Sequence, residues 1–218
     1  MKYEDRRDAG IKLSHEIPTI WYPDAVYGVA SGGAVVGVEI AFSMKVRLEI
    51  AYVTRLPIPW NPEVSFGAVA SDGEVILDEG HYRQMGLSYM EVQKIARTRL
   101  NEIKRKEQNS SIKNESFDLK NKTIILIDDG LATGYTCYGA AIWLRRRGAE
   151  RIYLASPVAH QSAIELLLPV VDDMRIILVS NNKVFTLSDY YRDFHQLGDR
   201  DIKDALTENR NFLRTVNP

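Results

Sequence analysis

A single cysteine, Cys137, in 218 residues excludes an internal disulfide, a CxxC redox pair and a cysteine-based zinc site. Histidine is almost as scarce: His15, His81, His160 and His195 are scattered with no HExxH spacing, so a structural metal is not expected. No apolar run approaches the ~20 residues of a membrane span. The charged opening MKYEDRRDAG also lacks the apolar core of a signal peptide, so a cytoplasmic protein without membrane association is expected. The sequons at Asn109, Asn114 and Asn121 carry no weight without secretion, and Thr123 of the last one opens an apolar strand. Neither sign of charge dominates: 28 Lys and Arg face 29 Asp and Glu, for a net charge of -1. No broad basic field exists to hold nucleic acid, so any anion site must be local. Repeats and low-complexity tracts are absent too. What remains is a globular composition, 45% hydrophobic and 26% charged, suited to one domain over 1–218.

Along the chain, residues 3 to 17 read as a short amphipathic helix stopped before Pro18. Ala25 to Ala30 reads as a buried strand, Ser31-Gly32-Gly33 as a turn, and Ala34 to Met44 as a helix; the apolar run Val46 to Val53 then completes a right-handed βαβ unit. Residues 54 to 88 break this regularity with Pro57, Pro59 and Pro62. Their alternating segments flank the hairpin turn Ser71-Asp72-Gly73, so an excursion from the sheet is expected. Tyr89 to Lys106 is helical, with a basic end read as a solvated face, and Gln108 to Lys120 is a polar connector. Alternation then resumes: strand Thr123 to Asp128, helix Thr136 to Arg147, strand Ile152 to Pro157, helix Gln161 to Leu168 and strand Arg175 to Val179. This order predicts an α/β fold, an open parallel sheet flanked by helices.

The segment TIILIDDGLATGYTCYGAAIWLRRRG, Thr123 to Gly148, carries the chemistry. Ile124 to Ile127 form a strand apolar on both faces that ends abruptly in Asp128-Asp129 at the C-terminal edge of the sheet. Gly130 to Thr136 then supply glycines and hydroxyls before a helix, with Gly148 beyond its end. A helix N-terminus beside the Thr133 and Thr136 hydroxyls is an anion site, so a phosphate is expected there. The acids repel phosphate and suit sugar hydroxyls, a hydrated metal ion or a developing cation instead. A phosphorylated sugar satisfies both halves.

The same stretch resembles the phosphoribosyl-pyrophosphate (PRPP) signature of type I phosphoribosyltransferases, an apolar strand, two acids and a loop of the form x-x-x-T-G-x-T. Here it reads IILI, DD, GLATGYT. The resemblance implies a Rossmann-like fold with a small hood. The 54 to 88 hairpin would be a flexible excursion, and the N-terminal helix and C-terminal segment would form the hood. It also implies that Gly130, Leu131, Ala132, Thr133, Gly134, Tyr135 and Thr136 form the 5-phosphate loop, and that Asp128 and Asp129 contact ribose hydroxyls. Gly28-Val29-Ala30-Ser31-Gly32-Gly33 looks like the pyrophosphate loop, with Ala30, Ser31, Gly32 and Gly33 offering backbone contacts; in many members this loop holds a non-proline cis peptide. Ser31 stands where relatives carry Arg. Arg55 matches a cation that reaches pyrophosphate, in some members across a dimer interface. YEDRRDAG, NPEVSFGAVASDGEVIL and YYRDF are similar to a widespread subgroup whose acceptor is unassigned, so the likeness spans most of the chain.

The activity implied is transfer of the phosphoribosyl group of PRPP to a nitrogenous base or related acceptor, with release of pyrophosphate. Mg2+ would arrive with PRPP rather than on a protein-only site, with water linking it to Asp128 or Asp129. A homodimer with a role in nucleotide metabolism and salvage is implied as well. Ala132 stands where purine-salvage members place an Asp, which speaks against a hypoxanthine-guanine type acceptor and leaves no general base in view. Tyr190, Tyr191 and Phe194 either stack a planar base or simply pack. Cys137 reads as core. A non-catalytic module that senses PRPP or ribose phosphate is the second reading, and an acidic metal site of phosphatase or receiver type the third.

Overall fold

The computed structural model describes residues 2–78, 82, 84–110 and 117–216. In chain order the elements are α1 (Arg6–Ser14), β1 (Ala25–Val29), α2 (Gly32–Met44), β2 (Arg47–Ala51), β3 (Val53–Ile58), β4 (Asn61–Ala70) and β5 (Val75–Leu77). They continue with α3 (Tyr89–Ser110), β6 (Thr123–Ile127), α4 (Tyr135–Arg146), β7 (Arg151–His160), α5 (Gln161–Leu167), β8 (Asp173–Ser180), a 3-10 turn (Leu187–Tyr190) and α6 (Asp199–Val216). His81 and residues 111–116 of the expected connector, with Asn114 among them, lie outside the described residues.

Strand β1 is buried at every position and β6 at all but its first, as strands covered on both faces require. They sit inside a five-stranded parallel sheet of order β2-β1-β6-β7-β8, the open α/β sheet expected. Alternate side chains face opposite layers. Tyr27, Val29, Ile124 and Leu126 pack with Cys137, Ala140, Ala141 and Leu144 of α4. Val26, Ile125 and Ile127 pack with α2 and with Ile202, Ala205 and Leu206 of α6. The chain runs outward from β1 to β2, then returns to the other side of β1 as β6 before continuing outward. That reversal makes β1 and β6 the topological switch point, where ligands bind in open α/β sheets.

The excursion is a three-stranded antiparallel sheet, β3-β4-β5. Its hairpin turns at Gly73, which adopts φ 96° and donates its N–H to the Ala70 carbonyl. Leu56, Ile58, Phe66 and Val69 form its core with Leu87, Val92 and Ala96. Gly139 of α4 lets this sheet approach closely, since a Cβ there would lie 2.3 Å from the Ala68 methyl.

Several elements depart from the expected boundaries: α3 continues to Ser110, past the expected start of the connector at Gln108, and the run Val46 to Val53 divides between β2 of the parallel sheet and β3 of the excursion. Strand β7 runs through Pro157 to His160, because its last residues pair both with β8 and with the loop residue Leu131, which outweighs the N–H that proline lacks. Helix α6 was not anticipated. Its charged sequence carries Ile202, Ala205, Leu206 and Asn209 at helical spacing, and all four are buried. The Asn209 amide accepts from the Leu48 N–H at 2.7 Å and donates to the Val46 carbonyl at 3.1 Å, satisfying the outer edge of β2. Among the described residues no helix is long and apolar enough to cross a membrane.

Candidate active site

The site is built from the loops after β1 and β6, the two strands at the switch point. Their register pairs Gly28 with Ile127, so the loops Ala30–Gly33 and Asp128–Gly134 leave the sheet side by side. Close backbone approach explains the glycines between them. A Cβ on Gly33 would lie 2.3 Å from the Ile127 carbonyl, and one on Gly32 would lie 2.2 Å from the Asp129 carboxylate. The peptide between Ala30 and Ser31 is cis, the feature the resemblance implied for this loop.

The adjacent acids occupy different surroundings. Asp129 is 8% exposed and accepts from Arg6 Nε at 2.6 Å, an ion pair shielded from water on both sides. Arg6 also donates to the His195 carbonyl at 3.0 Å and lies 4.0 Å above the Phe194 ring. Tyr191 is buried behind the pair and donates its hydroxyl to the Asp129 carbonyl at 2.5 Å. The N-terminal helix and the aromatic segment near 190 therefore meet on Asp129 rather than apart from it. Sequence reasoning missed Arg6, which lies 123 residues from its partner.

Asp128 instead lines the cleft. It accepts from the Asp129 N–H at 2.9 Å and from the Cys137 thiol at 3.6 Å. Burial pushes its carboxyl well above the usual range, and the Asp129 charge pushes it further. Burial likewise holds the Cys137 thiol well up, with the Asp128 charge adding to it, so this cysteine is a neutral core group despite its place in the first turn of α4.

The loop between Asp129 and α4 is pinned at Leu131, whose N–H donates to the Val158 carbonyl and whose carbonyl accepts from the His160 N–H. The Leu131 side chain is buried, while Ala132 is exposed and Thr133 half-buried. Gly134 caps α4 with φ 80°, a left-handed conformation suited to glycine, and the first amides of α4 have no acceptor inside the helix. Tyr135 turns away and donates its hydroxyl to Asp78 at 3.1 Å. Arg55 of β3 comes round to this side, within reach of the Ser65 hydroxyl at 3.3 Å. It joins Asp128, Gly130 to Gly134, Thr136 and Cys137 around one cleft of about 160 Å³. Ala30 to Gly33 border the acids from the β1 side.

The aromatic candidates separate. Tyr191 packs against Tyr3, with ring centroids 5.5 Å apart. Phe194 lies under Arg6 and 5.3 Å from Tyr191. Tyr190 is half-buried and stacks on Phe185 at 5.3 Å, and Phe185 meets His160 edge-on. The 3-10 turn leading to Tyr190 presses Leu187 against Gly130, so Tyr190 and Phe185 stand beside the loop; Phe185 was not singled out from sequence. Lys106 was also missed as a site residue. Its ammonium donates to the Ser31 hydroxyl at 2.9 Å, whereas Lys104 and Arg105 are exposed as expected of a solvated face.

Comparison with known proteins agrees with this geometry. The family model described as phosphoribosyl transferase domain matches residues 12–189. A Mycobacterium tuberculosis protein that carries the provisional name phosphoribosyl transferase is 27% identical over 201 residues, covering 92% of this chain and 45% of that protein. The chain thus spans about half the length of the curated relatives it matches over most of its own length. A ribose-phosphate pyrophosphokinase of Pyrococcus furiosus is 35% identical over 63 residues, 28% of this chain and 23% of that protein. Among solved structures, TT1426 from Thermus thermophilus superposes with a TM-score of 0.80 at 27% identity, covering 95% of this chain and 99% of that one. Matched across the parallel sheet, the excursion and both switch-point loops, the chain belongs to the phosphoribosyl transferase domain family.

Proposed function

We propose that the protein transfers the 5-phosphoribosyl group of PRPP to a nitrogenous acceptor and releases pyrophosphate. One observation carries the reading: an uncapped helix start, two adjacent acids of which Asp129 is buried and Asp128 lines the cleft, and a glycine turn meet at the switch point, with Gly32 against the Asp129 carboxylate and Arg55 across the cleft. The 5-phosphate is assigned to the first amides of α4 and to the Thr133 and Thr136 hydroxyls, an arrangement in which the helix dipole favours an anion. Ribose hydroxyls donate to Asp128, the acid that lines the cleft, while Asp129 keeps its charge compensated by Arg6. Pyrophosphate lies toward Ala30–Gly33 and Arg55.

Displacement at ribose C1 places positive charge on the ring and negative charge on the leaving group. Asp128 favours the first, and preset loop amides receive the second without reorganising. Among the described residues no three or more His, Cys, Asp or Glu gather to hold a metal ion. A single carboxylate on the cleft fits Mg2+ carried by PRPP, since this ion binds one or two carboxylates beside substrate phosphates. Bound in that way, Mg2+ supplies neutralisation of the pyrophosphate charge. Tyr190, stacked on Phe185 beside the loop, is the face offered to a planar acceptor. A homodimer is part of the same reading.

The test is calorimetric titration with PRPP, with and without Mg2+, followed by measurement of pyrophosphate release across a panel of nucleobases. Mg2+-dependent binding and release with one base establish the transferase. Binding with no release across the panel favours the PRPP-sensing module, and no binding of PRPP refutes both.

A further inference from the structure

Lys106 occupies an unusual electrostatic position. Its ammonium donates to Ser31 Oγ at 2.9 Å, directly at the N-terminus of α2. That end of a helix carries partial positive charge, which repels a cation. The usual compensation is missing: α2 has no acidic residue in its first turn, and the Ser31 side chain makes no capping bond. The nearest carboxylate at this turn, Asp129, is already paired with Arg6. Among the described residues Lys106 itself has no carboxylate within ion-pair distance. An ammonium with no carboxylate in ion-pair distance and an uncapped helix start therefore face the same small region, where the nearby Asp129 charge is already taken up by Arg6.

The lysine is held there by its own helix. The buried Ser110 hydroxyl donates to the Lys106 carbonyl and is bonded at 2.9 Å to the Tyr52 hydroxyl, at the junction of β2 and β3. Asn109 donates to Asp199 of α6 at 2.8 Å, and Ile103 is buried in the core shared with α6. These anchors fix the last turns of α3 above the turn that follows β1.

We propose that Lys106 is a pyrophosphate-binding residue, supplying from α3 the positive charge that Ser31 does not provide within the loop. This rests on the PRPP reading above and extends it, with the ammonium and the amides at the start of α2 taking the diphosphate oxygens together. Ser31 positions the ammonium before ligand arrives.

The experiment titrates wild type, Lys106→Ala and Lys106→Arg with PRPP, inorganic pyrophosphate and ribose 5-phosphate, all with Mg2+. Removal of one charge-assisted hydrogen bond to the diphosphate predicts about tenfold or greater weakening of PRPP and pyrophosphate binding in Lys106→Ala. Ribose 5-phosphate, which has no diphosphate, should bind as in wild type, and Lys106→Arg should retain most of the affinity. Lys106→Gln, with an uncharged head, gives the same reading should the alanine variant melt early. Wild-type affinity for PRPP and pyrophosphate in Lys106→Ala overturns the role of Lys106 while leaving the PRPP reading intact. Equal weakening of all three ligands also overturns it, because a general structural defect would then suffice. Failure of the wild type to bind any of them refutes the PRPP reading and the proposal with it.

Discussion

Arg6 and Asp129 meet at 2.6 Å with side-chain exposures of 8% and 11%, so a helix at the start of the chain neutralises one of the two acids that end strand β6. The pair separates the roles of neighbouring carboxylates. Asp129 is enclosed by Arg6, Tyr191 and Gly32, whereas Asp128 is left toward the cleft.

Removing one partner of such a pair leaves an uncompensated buried charge, which costs about 3–5 kcal/mol. Arg6→Ala is expected to destabilise by about that amount, and Asp129→Asn in the same background to recover part of it. Denaturant unfolding of both single variants and the double variant measures the coupling. Additive losses would mean that the ion pair is energetically idle.

Asp128 carries the opposite liability. Burial and the Asp129 charge push its carboxyl up, so its ionised form is disfavoured in the folded chain. The penalty is absent below the unfolded carboxyl value and grows as pH rises toward the folded one. Asp128→Asn should therefore raise the melting temperature of the ligand-free protein at neutral pH, with the gain shrinking as pH falls toward about 4. The same variant should lose about tenfold or more in PRPP affinity. Thermal melts across pH and one titration read both, and a variant that loses stability at neutral pH would contradict the assigned surroundings.

Two carboxylates at the openings of central strands contribute to stability against acid. Asp24 accepts from the Thr123 N–H and Lys122, and Asp172 from the Ile152 N–H and Arg145, so each satisfies the opening of a central strand. Burial pushes both up, but these donors outweigh it, and both titrate below the usual value. Their stabilisation is thus present above the unfolded carboxylate value and disappears as pH falls through the folded one, below about 4. Asp24→Asn and Asp172→Asn should each cost about 0.5–1 kcal/mol at neutral pH and flatten the stability loss on acidification. Unfolding curves at neutral pH and near about pH 3 check this.

The apolar run Ile124–Ile127, the Asp pair, Gly134 and α4 were legible because each is a local pattern: a strand buried on both faces, a left-handed cap and a helical period are properties of neighbouring residues. The turn Ser31-Gly32-Gly33 and the hairpin at Gly73 were legible for the same reason. Helix α6 also left a local trace in Ile202, Ala205, Leu206 and Asn209, but its charges obscured that trace.

Contacts between distant segments left no such trace. Lys106 meets Ser31 across 75 residues, and Arg6 meets Asp129 across 123. A charged residue on a helix face has the same sequence signature whether it faces water or a buried acid. The local sequence thus determined the open α/β sheet, its hairpin excursion and the two loops at its edge. Tertiary structure alone decided which acid is paired, which lysine reaches the glycine turn and which aromatics stand beside the loop, because these depend on packing between elements far apart in the chain.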